Sequence, residues 1–307
     1  MTTSPRTNLA GAPAEGRLLT FDTPAPILMG VELVVGTVHV TATDRHDTVI
    51  EVLPSRPDAR SDVSAAEQTV IERSGRLVTV RAPGRWTRYV HWGDNPSLDV
   101  RIALPCGSEV RVDASMATVL CSGRLGESQI STGLGEVRVE EVGPLRVRTG
   151  FGDVSVERAG GRVEAKTGSG AVRIAAIEGP AVIRNSNGDT WVGQVSGDLE
   201  VRSANGRIAV DRADAAVTAR TANGAVLLGQ VARGAVVART AAGRVEVGVR
   251  AGVAAWLDLH TRHGRVRSDL EVGGPPAPGE ETVEIRASTS FGDVSVRRVQ
   301  SPSDEPR

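Results

Sequence analysis

The chain has 307 residues, 36 basic against 37 acidic, a formal net charge of −1 and a pI near 6.6. Balanced charge excludes a bulk attraction to nucleic acid or to an anionic membrane, so any such binding needs a local patch. With 35 glycines and 3% aromatic residues, a core of large rings is excluded as well, and small aliphatic side chains must fill a narrow, layered interior.

Residues 1–17 are polar and rich in Pro, Gly and Ala, which predicts a disordered tail. They show neither the basic nor the apolar region of a secretory leader, and the expectation is a cytoplasmic protein. No apolar run approaches the roughly 20 residues that a membrane-spanning helix requires. Residues 18–105 hold alternating segments, VELVVGTVHV (31–40), DTVIEVLP (47–54) and SLDVRIALP (97–105). VIERSGRLVTVRA (70–82) predicts a hairpin turning at Ser74–Gly75. The region is expected to form a β cap over an open strand edge. Within it, Trp86, Tyr89 and Trp92 gather beside Arg85, Arg88 and His91. They read as packing for the cap or, second, as a contact surface for carbohydrate or protein.

From residue 106 to 300 the chain repeats. LRVRTGFGDVSVERAGG (145–161), LEVRSANGRIAVDRADA (199–215) and VVARTAAGRVEVGVRAG (236–252) each read strand, tight turn, strand, corner. The small residue closing the turn recurs at Ala117, Gly135, Gly152, Gly170, Gly188, Gly206, Gly224, Gly243, Gly264 and Gly292, in steps of 18, 17, 18, 18, 18, 18, 19, 21 and 28 residues. Apolar residues stand two and four positions after this mark (Val172/Ile174, Ile208/Val210, Val245/Val247) and seven and five before it (Val163/Ala165, Leu199/Val201, Val217/Ala219). That is half-buried strand patterning on both sides of one turn. Three before the mark comes a hydroxyl: Thr132, Thr149, Thr167, Ser203, Thr221, Thr240, Thr261 and Thr289. One such unit cannot bury its apolar face alone, whereas stacked copies close the columns into a core. The predicted fold is all-β: a single-stranded parallel β-helix, or β-solenoid, of about ten coils of 18 residues, capped by 18–105 and followed by a tail at 301–307. GGPPAPGEE predicts a loop inserted before the last coil, and Asn187, Asn205 and Asn223 a structural amide ladder.

LPCGSEVRVDAS (104–115), followed by coils of the form VRTxxGDVxV (147–156), resembles a bacterial β-strand-repeat domain of unknown function, common in actinobacteria and carrying the name "putative adhesin". The resemblance spans roughly residues 20–300. It implies a β-solenoid, and it offers no catalytic residues to carry over. Because its sequence reads as having neither a secretion signal nor an anchor, the chain is expected to depart from an adhesin in this respect.

Four residues before the mark, on the outward side of the first strand, stand Arg148, Lys166, Arg184, Arg202, Arg220 and Arg239. Stacking places them about 5 Å apart, and like charges on neighbouring strands repel. The column therefore suggests an anionic partner: a polyanion such as nucleic acid or a glycopolymer, or an acidic protein face. Against this stands ordinary solvation, the favoured reading, in which the stems cover the sheet and the heads splay into water near Glu164 and Glu200. No metal site is expected: His260 and His263 fall on opposite strand faces, and Cys106 and Cys121 have no metal spacing. No phosphate loop, dinucleotide fingerprint or nucleophile elbow occurs. The chain is thus read as a non-enzymatic scaffold without a cofactor, binding along an extended face. The alternatives are a polymer-acting β-helix enzyme, for which Asp153, Asp189 and Asp293 lie in separate coils, and a structural module that self-associates through the solenoid end.

Overall fold

A computed structural model describes residues 16–83, 95–271 and 281–299. The chain divides into two compact units, residues 1–152 and 153–307. Both are β-solenoids.

The first unit contains β1 (Arg17–Asp22), β2 (Leu28–Thr43), β3 (Asp47–Pro54), α1 (Arg60–Gln68), β4 (Val70–Ser74), β5 (Leu77–Arg81), β6 (Ser97–Pro105), β7 (Glu109–Leu125), β8 (Ser128–Leu134), β9 (Val137–Val142) and β10 (Leu145–Phe151). β2 runs parallel to β7 from Leu28 to Thr41, which puts Gly36 in register with Ala117. The repeat therefore begins at β2, inside the segment expected to be only a cap. Met29 and Val38 are buried and enter the alternation that β7 continues with Val110 and Val119, and β8, β9 and β10 stack on it in parallel. On its other edge β2 takes β5 along Leu28–Glu32 and β6 along Val35–Thr43. Antiparallel strands then close that side: β4 on β5, β3 on β6 and β1 on β3. This is how an edge is protected from further pairing. The β4–β5 turn falls at Gly75–Arg76, one residue later than expected, because Ser74 pairs with Leu77 and Gly75 takes φ 61°.

Helix α1 has no counterpart in the sequence reading. Its nine residues, RSDVSAAEQ, carry no apolar stripe, so periodicity is silent there. The Asp62 carboxylate, fully buried, holds it in place against β3 and β6. It accepts hydrogen bonds from Arg56 Nε and Nη2 at 2.9 Å each, and from the backbone N–H of Arg56 and of Ser97 at 3.2 Å each. The Arg56 guanidinium lowers its pKa below the usual carboxylate value.

The second unit contains β11 (Val154–Ala159), β12 (Val163–Ser169), β13 (Val172–Ile177), β14 (Ala181–Asn187), β15 (Thr190–Val195), β16 (Leu199–Asn205), β17 (Ile208–Ala213), β18 (Val217–Asn223), β19 (Val226–Val231), β20 (Gly234–Ala242), β21 (Val245–Arg250), β22 (Ala254–His263), β23 (Val266–Ser268), β24 (Thr282–Phe291) and β25 (Val294–Val299). One parallel ladder runs β12–β14–β16–β18–β20 and another β11–β13–β15–β17–β19–β21. The inward columns Val163–Ala181–Leu199–Val217–Val236 and Val172–Thr190–Ile208–Val226–Val245 are buried throughout.

The last two coils are not stacked in chain order. β24 lies between β20 and β22, and β25 between β21 and β23. The simple succession Gly243, Gly264, Gly292 expected from sequence is therefore corrected to Gly243, Gly292, Gly264. Side-chain quality explains the exchange. β24 and β25 offer Val283, Ile285, Ala287, Val294 and Val296 to two neighbours, and all are buried. The coil of β22 and β23 has a second arm of only three residues, with Val266 exposed. The coil with fuller apolar alternation takes the place that buries both its faces.

Candidate binding face

In the second unit the register is strict: Lys166 pairs with Arg184, Arg184 with Arg202, Arg202 with Arg220, and Arg220 with Arg239. All five side chains are exposed. Arg202 meets Glu200 at 2.5 Å. Among the described residues, no carboxylate lies within ion-pairing distance of Lys166, Arg184, Arg220 or Arg239. Like charges held on adjacent strands cost a few tenths of a kcal/mol or more per pair, on the order of 0.2–1. The sixth expected member, Arg148, is exposed and belongs to the first unit, in register with Ser131. There the same position continues through Asp113, Glu32 and Arg81, and Arg81 pairs with Glu32 at 3.1 Å. Uninterrupted positive charge is thus a property of the second unit.

Beside the column runs the amide ladder. Asn205 Nδ2 donates to Asn187 Oδ1 and Asn223 Nδ2 to Asn205 Oδ1, both at 2.8 Å. Trp86, Tyr89 and Trp92 lie outside the described residues.

The residues weighed for catalysis have structural partners. Asp153 accepts the backbone N–H of Ala171 at 2.8 Å, Asp189 that of Arg207 at 2.8 Å and Asp293 that of Arg265 at 2.9 Å. Each carboxylate therefore braces its own turn to the neighbouring coil. A recess of about 270 Å³ contains two further acids, Asp214 and Glu281, but each is held by arginine: Arg212 at 3.0 Å and Arg250, respectively. Among the described residues no group of three or more His, Cys, Asp or Glu side chains could hold a metal ion. His263 stacks on Phe291 with ring centroids 4.9 Å apart. Burial pushes the Cys121 thiol up to about 12, so it stays protonated at neutral pH and packs as a small apolar group.

One surface feature escaped the sequence reading. The residue just before the mark is apolar in the first unit: Met116, Leu134 and Phe151 stand in register at the turn, 45%, 49% and 62% exposed. The mark glycines pointed to this position, but only its asparagines drew notice.

The match to a family model extends over residues 37–297, most of the chain. The chain belongs to the Toastrack DUF4097 family. No curated protein matches it by sequence. Among solved structures, it is similar to a "putative adhesin" from Parabacteroides merdae, at 13% identity and TM-score 0.44, covering 93% of this chain and 95% of that one. Another "putative adhesin", from Parabacteroides distasonis, shares 17% identity at TM-score 0.39, covering 93% and 98%. A "putative lipid binding protein" from the same species shares 14% identity at TM-score 0.36, covering 92% and 96%. These superpositions are too loose to bear on what this Toastrack chain binds.

Proposed function

We propose that the second unit is a non-catalytic scaffold that holds an anionic polymer along Lys166, Arg184, Arg202, Arg220 and Arg239. The observation that carries this reading is the register of five exposed cations, four of them without a carboxylate partner among the described residues. Four steps between parallel strands make a track of roughly 19 Å. A polymer with charges along its length neutralises several of these cations at once and releases its own counterions, which favours a polyanion over a single small anion. The guanidinium groups suit phosphate, sulfate or carboxylate oxygens, which they can hold two at a time.

The test is fluorescence anisotropy with three labelled probes: a sulfated polysaccharide, a polyphosphate and a single-stranded oligonucleotide. At least one is expected to bind, with affinity falling as salt rises. Replacing Arg184, Arg202 and Arg220 together by Glu is expected to abolish that binding while leaving the circular dichroism spectrum unchanged. Equal binding by the variant, or no binding by the unaltered chain at low salt, sinks the reading.

A further inference from the structure

Among the described residues, strands β22 and β23 have a partner on one side only, β24 and β25 respectively. The Ala254 N–H donates to Glu281 O on the β24 side at 3.0 Å. Backbone polar groups point alternately to the two sides of a strand. Those of Ala255, Leu257, Leu259 and Thr261 therefore face away from β24, toward an edge on which no other described strand pairs. The side chains agree: Leu257 and Leu259 are only half-buried, while Ile285 and Ala287, in register with them on β24, are buried. Proteins usually blunt such an edge with lysine, proline or a bulge. β22, AAWLDLHTRH, has no lysine and no proline, and its register with β24 runs unshifted from Ala254 to Thr261.

The edge is complementary to itself. In an antiparallel pair, residues face each other when their numbers add to a constant. With a two-fold axis at Leu259, Leu257 faces the second copy's Thr261, and Asp258 faces the second copy's His260. Trp256 faces the second copy's Arg262. Symmetry provides the acid–base and the ring–guanidinium pair twice each. The groups turned to the free edge are then those that exchange hydrogen bonds, Leu259 with its own copy. Shifting the axis to Asp258 sets that carboxylate against itself, and shifting it to Leu257 forgoes both the Asp258–His260 and the Trp256–Arg262 pair, so the axis at Leu259 is the favoured register. Trp256 is 57% exposed and already takes one guanidinium, Arg286, 5.9 Å from its ring centroid.

We propose that β22 is a homodimerisation edge: a second copy of this chain adds its own β22 antiparallel about Leu259 and continues the sheet across the two-fold axis. The basic column plays no part in this pairing, so the two proposals fail independently. The test is sedimentation equilibrium of the full chain over roughly 1–200 µM, where edges of modest area associate. The unaltered chain is expected to pass from monomer to dimer. His260→Asp, an exposed change that sets two carboxylates against each other, is expected to weaken the dimer about tenfold. The exchanged pair, Asp258→His with His260→Asp, restores the complement and is expected to recover most of the affinity. A chain that stays monomeric throughout, or a dimer that His260→Asp does not weaken, overturns the proposal.

Discussion

At the level of single residues, buried polar groups set most of what is particular to this chain. Asp62 is the clearest case. Its carboxylate takes hydrogen bonds from Arg56, from Ser61 and from the backbone at Ser97, and so ties α1 to β6. Its pKa is lowered on folding. Stability from such a group is present above the unfolded value, 3.8, and is lost as pH falls through the lower folded value. Asp62→Ala strands the donors of Arg56 and Ser97 and is expected to cost about 2 kcal/mol in urea unfolding at pH 7. The difference between variant and unaltered chain should shrink steadily below about pH 4. A difference that stays constant into acid would show that charge at Asp62 contributes nothing. Nothing in RSDVSAAEQ announced this role, because a carboxylate that joins elements distant in sequence has no local pattern.

The coil is the next scale, and its turn explains two columns of the repeat. In five coils the hydroxyl three before the mark reaches the carbonyl of the neighbouring coil's mark, whereas the side-chain oxygens of Thr149, Thr167 and Ser203 are buried with no hydrogen-bond partner among the described residues. Thr221 Oγ1 donates to Gly206 O at 3.2 Å, Thr240 Oγ1 to Gly224 O at 2.9 Å and Thr289 Oγ1 to Gly243 O at 2.9 Å. In the coil of β14, Asn185 takes the place of the hydroxyl and donates from Nδ2 to Gly170 O at 3.0 Å. The mark itself must be small. Gly206 takes φ 136°, and a Cβ there would stand 2.1 Å from Gly188 O. Gly206→Ala therefore combines a disfavoured dihedral, about 1–3 kcal/mol, with a collision against backbone that cannot move without its whole coil. A loss of about 3 kcal/mol or more is expected from the urea midpoint. A change below about 0.5 kcal/mol would mean that adjacent coils do not meet at this turn. Ala117 occupies the same column beside Gly36, so the demand for glycine belongs to each stacking contact and not to the repeat as a rule.

At the scale of the whole chain, the telling feature is the exchanged order of the last two coils in the second unit. Coils that each touch only their neighbours gain stability from the interfaces on both sides. Among the described residues β24 has partners on both sides and β22 on one. Native-state hydrogen exchange is therefore expected to be slower for amides of Thr282–Phe291 than for Ala254–His263, although the former lie nearer the C-terminus. Faster exchange at Thr282–Phe291 would mean that the coils stack in chain order. In the first unit, β4, β3 and β1 close one side of the stack antiparallel, whereas β22 pairs with no described strand on its outer side. The family match does not distinguish these two kinds of edge, since it spans residues 37–297 without regard to which coil neighbours which.

The sequence by itself determined the 18-residue period, the inward Val, Ile, Leu and Ala columns, the hydroxyl column and the outward line from Lys166 to Arg239. All of these follow from alternation along one strand and a fixed turn spacing, which are local properties. Only the tertiary structure decided that Gly36 joins the turn column in register with Ala117, that α1 packs on the cap, and that the coil of β24 displaces that of β22. Each of these outcomes is a choice of neighbour. Such choices depend on which of several well-patterned strands buries the most apolar surface and satisfies the most polar groups against a given partner, and that comparison exists only once the coils meet.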